Sequence, residues 1–131
     1  MAFYLDTSAA VKLVVAEAES GALRAWLKRS SADVVSSDLL RTELLRATRR
    51  GAPDAMEQAR AVLDSVTLLT MPTPVFERAG ELDPGLLRSL DALHLASALQ
   101  LGDDLEGIIA YDTRLLEAVK LHGITTISPG T

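Results

Sequence analysis

The chain has 131 residues, the size of one domain, with 48% apolar residues, 24% charged residues and a formal net charge of −5. That balance excludes disorder, and a chain of this length buries roughly two-thirds of its unfolded surface without staples. The absence of cysteine excludes a disulfide scaffold, a thiolate metal site and a cysteine nucleophile. No apolar run reaches the roughly 18 residues of a membrane span, and the segment Met1–Asp6 meets an acid too early for a secretory signal. The expectation is one domain over residues 1–131, in the cytoplasm, with no membrane partner.

In chain order, Phe3–Leu5 reads as a short strand, followed by Asp6-Thr7-Ser8 and an apolar helix to about Val15. Ser20 can cap a helix that places Ala22, Leu23, Trp26 and Leu27 on one face. Val34-Val35 suits a second strand, and Ser37 or Asp38 caps a helix that ends at Gly51. Pro53 opens a helix with Ala55, Ala59, Val62 and Leu63 aligned. Val66–Leu69 is a strand, Thr73-Pro74 starts a helix, and Asp83-Pro84-Gly85 is a turn. A strongly apolar helix spans about Ser89–Leu101 and breaks at Gly102-Asp103-Asp104. Gly107–Tyr111 is a buried strand, Asp112 caps a helix to His122-Gly123, and Ile124–Ile127 is the last strand. Strands alternating with helices imply an α/β domain. The expected architecture is a mostly parallel central sheet of four to five strands flanked by helices, in three layers.

Ligands of such sheets gather beyond the carboxyl ends of the strands, and two acids fall there. Asp6 follows the first strand and Asp112 follows the Gly107–Tyr111 strand. Each can equally be a plain helix cap. Glu43 lies on the apolar side of its helix: at 100° per residue from Leu39 it falls at about 40°, beside Ala47 and Leu40. A Glu there either reaches water from the stripe's edge, pairs with Arg46 or Arg50, or serves a site. Asp91 opens a helix that is apolar nearly all round. The helix dipole favours an acid in a first turn, but burying a carboxylate costs several kcal/mol unless it is paired or binds a metal.

Four converging acids repel one another, and each raises the others' pKa. Two divalent cations would remove that penalty. Oxygen ligands without a neighbouring Cys or His favour Mg²⁺, with Mn²⁺ as a substitute, over Zn²⁺. Mg²⁺ is commonly completed by waters and substrate phosphate oxygens, so the pattern points to phosphate chemistry. The basic residues agree: ten are Arg and three Lys, and Arg41, Arg46, Arg49 and Arg50 form a local basic cluster in an acidic chain.

Four motifs carry a resemblance that spans nearly the whole chain. They are Tyr4-Leu5-Asp6-Thr7-Ser8-Ala9, Thr42-Glu43-Leu44, Arg88-Ser89-Leu90-Asp91-Ala92-Leu93-His94-Leu95-Ala96 and Ala110-Tyr111-Asp112-Thr113-Arg114-Leu115. Each is weak alone, but in this order and spacing they are specific. The chain resembles PIN-domain ribonucleases, in particular the VapC-type toxins of toxin–antitoxin pairs. The resemblance implies a single PIN-like domain in which Asp6, Glu43, Asp91 and Asp112 are the catalytic, Mg²⁺-binding residues. It implies endonucleolytic RNA cleavage (tRNA included among the targets) by metal-activated water, leaving 5′-phosphate and 3′-hydroxyl ends. It gives Ser8 a supporting role beside Asp6. Arg114 either contacts phosphate or pairs with Glu117 or Glu81. A homodimer and a cognate antitoxin lying over the site are the implied partners.

Other residues read as structural. Asp103 and Asp104 belong to a solvated turn, Asp38 to a helix cap, His94 to a hydrogen-bonded core, His122 to a helix end and Trp26 to core or interface. Two other readings stand beside the toxin: a PIN-type RNA-processing nuclease, and a non-catalytic module whose acids serve only caps and ion pairs. The phosphatase and receiver patterns fail, since Ser8 stands where the first needs a second Asp and Lys120 lies on a helix. There is no glycine-rich phosphate loop.

Overall fold

The first strand, β1 (Ala2–Leu5), alternates its side chains between two apolar surroundings, as a strand buried on both faces must. The computed structural model describes residues 1–31 and 33–131. Its other strands are β2 (Asp33–Ser37), β3 (Thr67–Leu69), β4 (Leu105–Ile109) and β5 (Thr126–Ile127). The helices are α1 (Thr7–Ala10), α2 (Ser20–Arg29), α3 (Leu39–Gly51), α4 (Met56–Ser65), α5 (Thr73–Glu81), α6 (Ser89–Leu99) and α7 (Thr113–Leu121). Among the described residues the strands form one sheet in the order β3-β2-β1-β4-β5, with every neighbouring pair parallel.

The core lies on both sides of that sheet. Tyr4, Val35 and Ile108 face α6 and α7, where Leu95, Ala98, Leu115, Ala118 and Val119 close over them. Their neighbours Leu5 and Ile109 face the other way, toward Ala9, Ala10, Leu23, Leu40, Leu44 and Leu63 of α1 to α4. This is the expected three-layer arrangement. Leucines such as Leu23, Leu40 and Leu44, which are fully buried, each contribute on the order of 2 kcal/mol. Helix α6 is apolar all round because it is packed on two sides. Leu95 and Ala98 meet the sheet, while Ala92 and Ala96 meet Val75 and Ala79 of α5.

Several boundaries differ from the sequence reading, each for a local reason. The first helix is a single α-turn continued by a 3₁₀ turn, Val11–Leu13. Ser20 is the first residue of α2, with Glu19 in the cap position. The Ser20 hydroxyl instead accepts from the Glu17 N–H and donates to the Val15 carbonyl, closing the preceding turn. β4 begins at Leu105, two residues early, because its pairing with β1 slips between Ala2 and Phe3 and skips Glu106. Trp26 packs edge-on against Phe3, ring centroids 4.9 Å apart, in line with a core role.

Candidate active site

Strand order reverses between β1 and β4. β2 and β3 lie to one side of β1, β4 and β5 to the other. Such a switch point opens a crevice at the carboxyl ends of the two strands. Asp6 leaves β1 there, its N–H bonded to the Ile109 carbonyl at 3.0 Å. Asp112 leaves the neighbouring strand end as the N-cap of α7.

Both acids are helix caps, and neither is only that. Asp6 Oδ2 accepts from the Ser8 N–H at 3.1 Å and the Ser8 hydroxyl at 2.6 Å. Its Oδ1 is turned toward His94 Nε2, 3.7 Å away. Asp112 Oδ1 accepts from the N–H groups of Arg114 and Leu115, while its Oδ2 meets Arg88 Nη2 at 3.1 Å. One oxygen of each carboxylate starts a helix and the other faces a nitrogen, Asp6 Oδ1 that of His94 and Asp112 Oδ2 that of Arg88. Ser8 ties the two strand ends together: its oxygen also accepts from the Tyr111 N–H at 2.9 Å.

Asp91 joins from the first turn of α6. Its Oδ2 lies 3.2 Å from the same Arg88 Nη2 that bonds Asp112. Burial pushes the Asp91 carboxyl above its usual range, and the Asp112 charge adds to this; the Arg88 guanidinium opposes it, and Asp6 contributes further repulsion. Asp91 therefore feels the charge of both Asp112 and Asp6.

Glu43 enters from the second turn of α3. Its Oε1 accepts from the Thr7 hydroxyl at 2.6 Å and from His94 Nε2 at 2.5 Å, and it pairs with neither Arg46 nor Arg50 among the described residues. His94 is buried, with its other nitrogen, Nδ1, 2.8 Å from the Tyr4 hydroxyl. The Tyr4 hydroxyl also donates to Ser37 Oγ at 3.0 Å. Burial alone would lower the His94 pKa, but the Glu43 hydrogen bond and the charges of Asp6, Glu43 and Asp91 raise it. Burial would raise the Glu43 pKa, but His94 and Thr7 hold it below the ordinary value. Together, the four acids form two pairs, each spanned by one nitrogen: Asp91 and Asp112 by Arg88, Asp6 and Glu43 by His94.

As arranged, no group of three His, Asp or Glu side chains among the described residues could hold a metal ion. Mg²⁺ does not need three, since one or two carboxylates with water and phosphate suffice. The Asp91–Asp112 pair passes that test of fit, because a single positive nitrogen already contacts both Oδ2 atoms.

A PIN-domain family model matches residues 3–121. The chain belongs to the PIN-domain family. Ribonuclease VapC47 of Mycobacterium tuberculosis (strain CDC 1551 / Oshkosh) is 43% identical to it over 131 residues, spanning 97% of this chain and 96% of that one. Ribonuclease VapC46 of the same species (strain ATCC 25618 / H37Rv) is 44% identical over 128 residues, 98% of each. The crystal structure of Mycobacterium tuberculosis VapC20, described as a sarcin–ricin loop cleaving toxin, matches with a TM-score of 0.77 over 97% of this chain and 99% of that one. At 19% identity that likeness shows the PIN fold alone.

Within this PIN domain Ser8 lies against Asp6, bonded to its Oδ2 and to the Tyr111 N–H. Arg114 pairs with neither Glu117 nor Glu81; it is exposed and lines a groove with Leu86, Leu87, Glu117 and Leu121. Asp38 occupies the cap position of α3, but its carboxylate holds Arg41 instead of an N–H. Asp103 and Asp104 are exposed in a 3₁₀ turn, and His122 Nε2 contacts the Asp83 carbonyl. His94 is the hydrogen-bonded core residue expected, yet its partners are site acids. Arg88 and Thr7 were not singled out in the sequence. Spacing signals only His94, three positions from Asp91 on the same helix; Arg88 is the extended cap residue, outside that periodicity.

Proposed function

We propose that this chain is an endoribonuclease acting as the toxin of a toxin–antitoxin pair, using Mg²⁺, with Mn²⁺ as a substitute. The observation that carries the reading is the pair of carboxylates, Asp91 and Asp112, bridged by one cationic nitrogen at the sheet's switch point. The relatives named ribonucleases support the substrate class. A divalent cation bound there supplies neutralisation of the phosphate and a lowered pKa for an attacking water.

The chain's own residues have separate tasks. Asp91 and Asp112 hold the cation, with the Asp6 charge near enough to act on Asp91. Ser8 fixes Asp6 and the strand end that carries Asp112. Glu43 is held as a carboxylate by Thr7 and His94, which orients it and keeps a negative charge beside Asp6. The reading assigns 5′-phosphate and 3′-hydroxyl products, RNA (tRNA included) as substrate, an antitoxin over the crevice and a homodimer. No helix among the described residues is long and apolar enough to cross a membrane.

The test is cleavage of purified RNA by the purified protein with Mg²⁺, with excess EDTA, and after Mg²⁺ is restored. Loss and recovery, with products degraded by a 5′-phosphate-dependent exonuclease, is the expected result. Cleavage that persists in EDTA contradicts the metal assignment. No cleavage under any condition, of total RNA or of tRNA, contradicts the nuclease.

A further inference from the structure

Arg88 stands just before α6, and its side chain is 60% exposed. Its Nε and Nη2 lie 3.2 Å from Asp91 Oδ2, and Nη2 lies 3.1 Å from Asp112 Oδ2. These oxygens are the ones not used for capping: Asp112 caps α7 through Oδ1. A guanidinium and a divalent cation cannot both occupy the space between two carboxylate oxygens, because they need the same lone pairs and repel each other. The arginine is the exposed end of each pair, 60% open to solvent against 13% for Asp91 and 29% for Asp112, so its side chain can swing into water without leaving a buried cation.

We propose that Arg88 is the site's internal counter-ion: it neutralises Asp91 and Asp112 while no divalent cation is bound, and competes with that cation for them. The proposal rests on the metal reading above and adds a residue that sets how much cation the site requires. Without Arg88 the two acids would face each other unscreened in a half-buried crevice, which favours loss of one charge or local opening. With it, the crevice keeps its shape before loading, and loading requires the guanidinium to move away.

The experiment is calorimetric titration of Mn²⁺, then Mg²⁺, into the wild type, Arg88→Gln and Arg88→Lys, without RNA. Thermal melting in EDTA and in saturating cation accompanies it. Arg88→Gln is expected to bind cation about five- to tenfold more tightly, the scale of one unit-charge interaction about 4 Å long screened by water. Arg88→Lys, which keeps the charge, is expected to stay near the wild type. In EDTA the Gln variant is expected to melt below the wild type, with the difference vanishing at saturating cation. Binding by the wild type with equal or weaker binding by Arg88→Gln overturns the counter-ion role and leaves the metal site standing. Failure of all three proteins to bind overturns both. Binding by Arg88→Gln alone is the strongest outcome in favour.

Discussion

Asp91 keeps its charge in a place that disfavours it. Its pKa is raised by burial first and Asp112 second, so whatever stability the protonated form brings is present below 3.8 and lost as pH rises through the folded-state value. At neutral pH the ionised carboxyl gives the fold nothing that an amide cannot. Asp91→Asn is therefore expected to melt within about 3 °C of the wild type while RNA cleavage falls at least about a hundredfold. Melting curves and initial rates on one preparation check both halves. In the Glu43–His94 pair the two shifts run in opposite directions. The contribution of Glu43 is present above 4.5 and lost as pH falls through its lowered value. That of His94 is fully present below 6.5 and lost as pH rises through its raised value. The pair thus stabilises most between pH 4.5 and 6.5. His94→Gln, which strands Tyr4 and Glu43, is expected to cost about 1–3 kcal/mol in that window, with the deficit narrowing at alkaline pH in a melting series.

At the scale of elements, the crevice depends on how closely β4 approaches its neighbours. A Cβ on Gly107 would sit 2.8 Å from Ile127 Cδ1 and 3.0 Å from the Thr125 carbonyl, so β5 lies against bare backbone. Gly107→Ala is expected to destabilise by about 1–3 kcal/mol through overpacking, measured by denaturant unfolding. Leu95→Ala, at the sheet face of α6, is expected to cost about 2–5 kcal/mol. These elements were legible in outline from the sequence: the apolar runs around Tyr4 and Ile108 and the all-round apolar pattern of α6 set the layers. Their ends were less so. The slip that starts β4 at Leu105 depends on pairing with β1, and the diversion of Ser20 into the Glu17–Val15 turn depends on how the chain approaches α2. Both are set by contacts outside the local sequence.

Across the whole molecule, charge is segregated. The chain carries a net −5, yet Arg46, Arg49 and Arg50 on α3 are exposed and make no ion pair among the described residues. If that face follows the RNA backbone, replacing all three by Ala reduces the slope of log affinity against log salt by up to about 2, read by titrating RNA at several salt concentrations with Asp91→Asn to prevent cleavage. The candidate site was legible because its acids sit where backbone rules put reactive groups: Asp6 and Asp112 after strands, Asp91 in a buried helix, Glu43 on an apolar face. The two nitrogens that span them were not. Arg88 lies 24 positions from Asp112 and His94 lies 51 from Glu43, and no local pattern records a pairing that only the packed sheet creates.

The central claim is that Asp91 belongs to a metal-dependent nuclease site. The most direct test maps new RNA 5′ ends in cells after induction of the wild type and of Asp91→Asn at matched folded expression. Discrete 5′-phosphate ends with the wild type alone are predicted, and they would name the target as well. The same ends from both proteins would contradict a catalytic Asp91, and no new ends from the wild type would contradict the ribonuclease in that host.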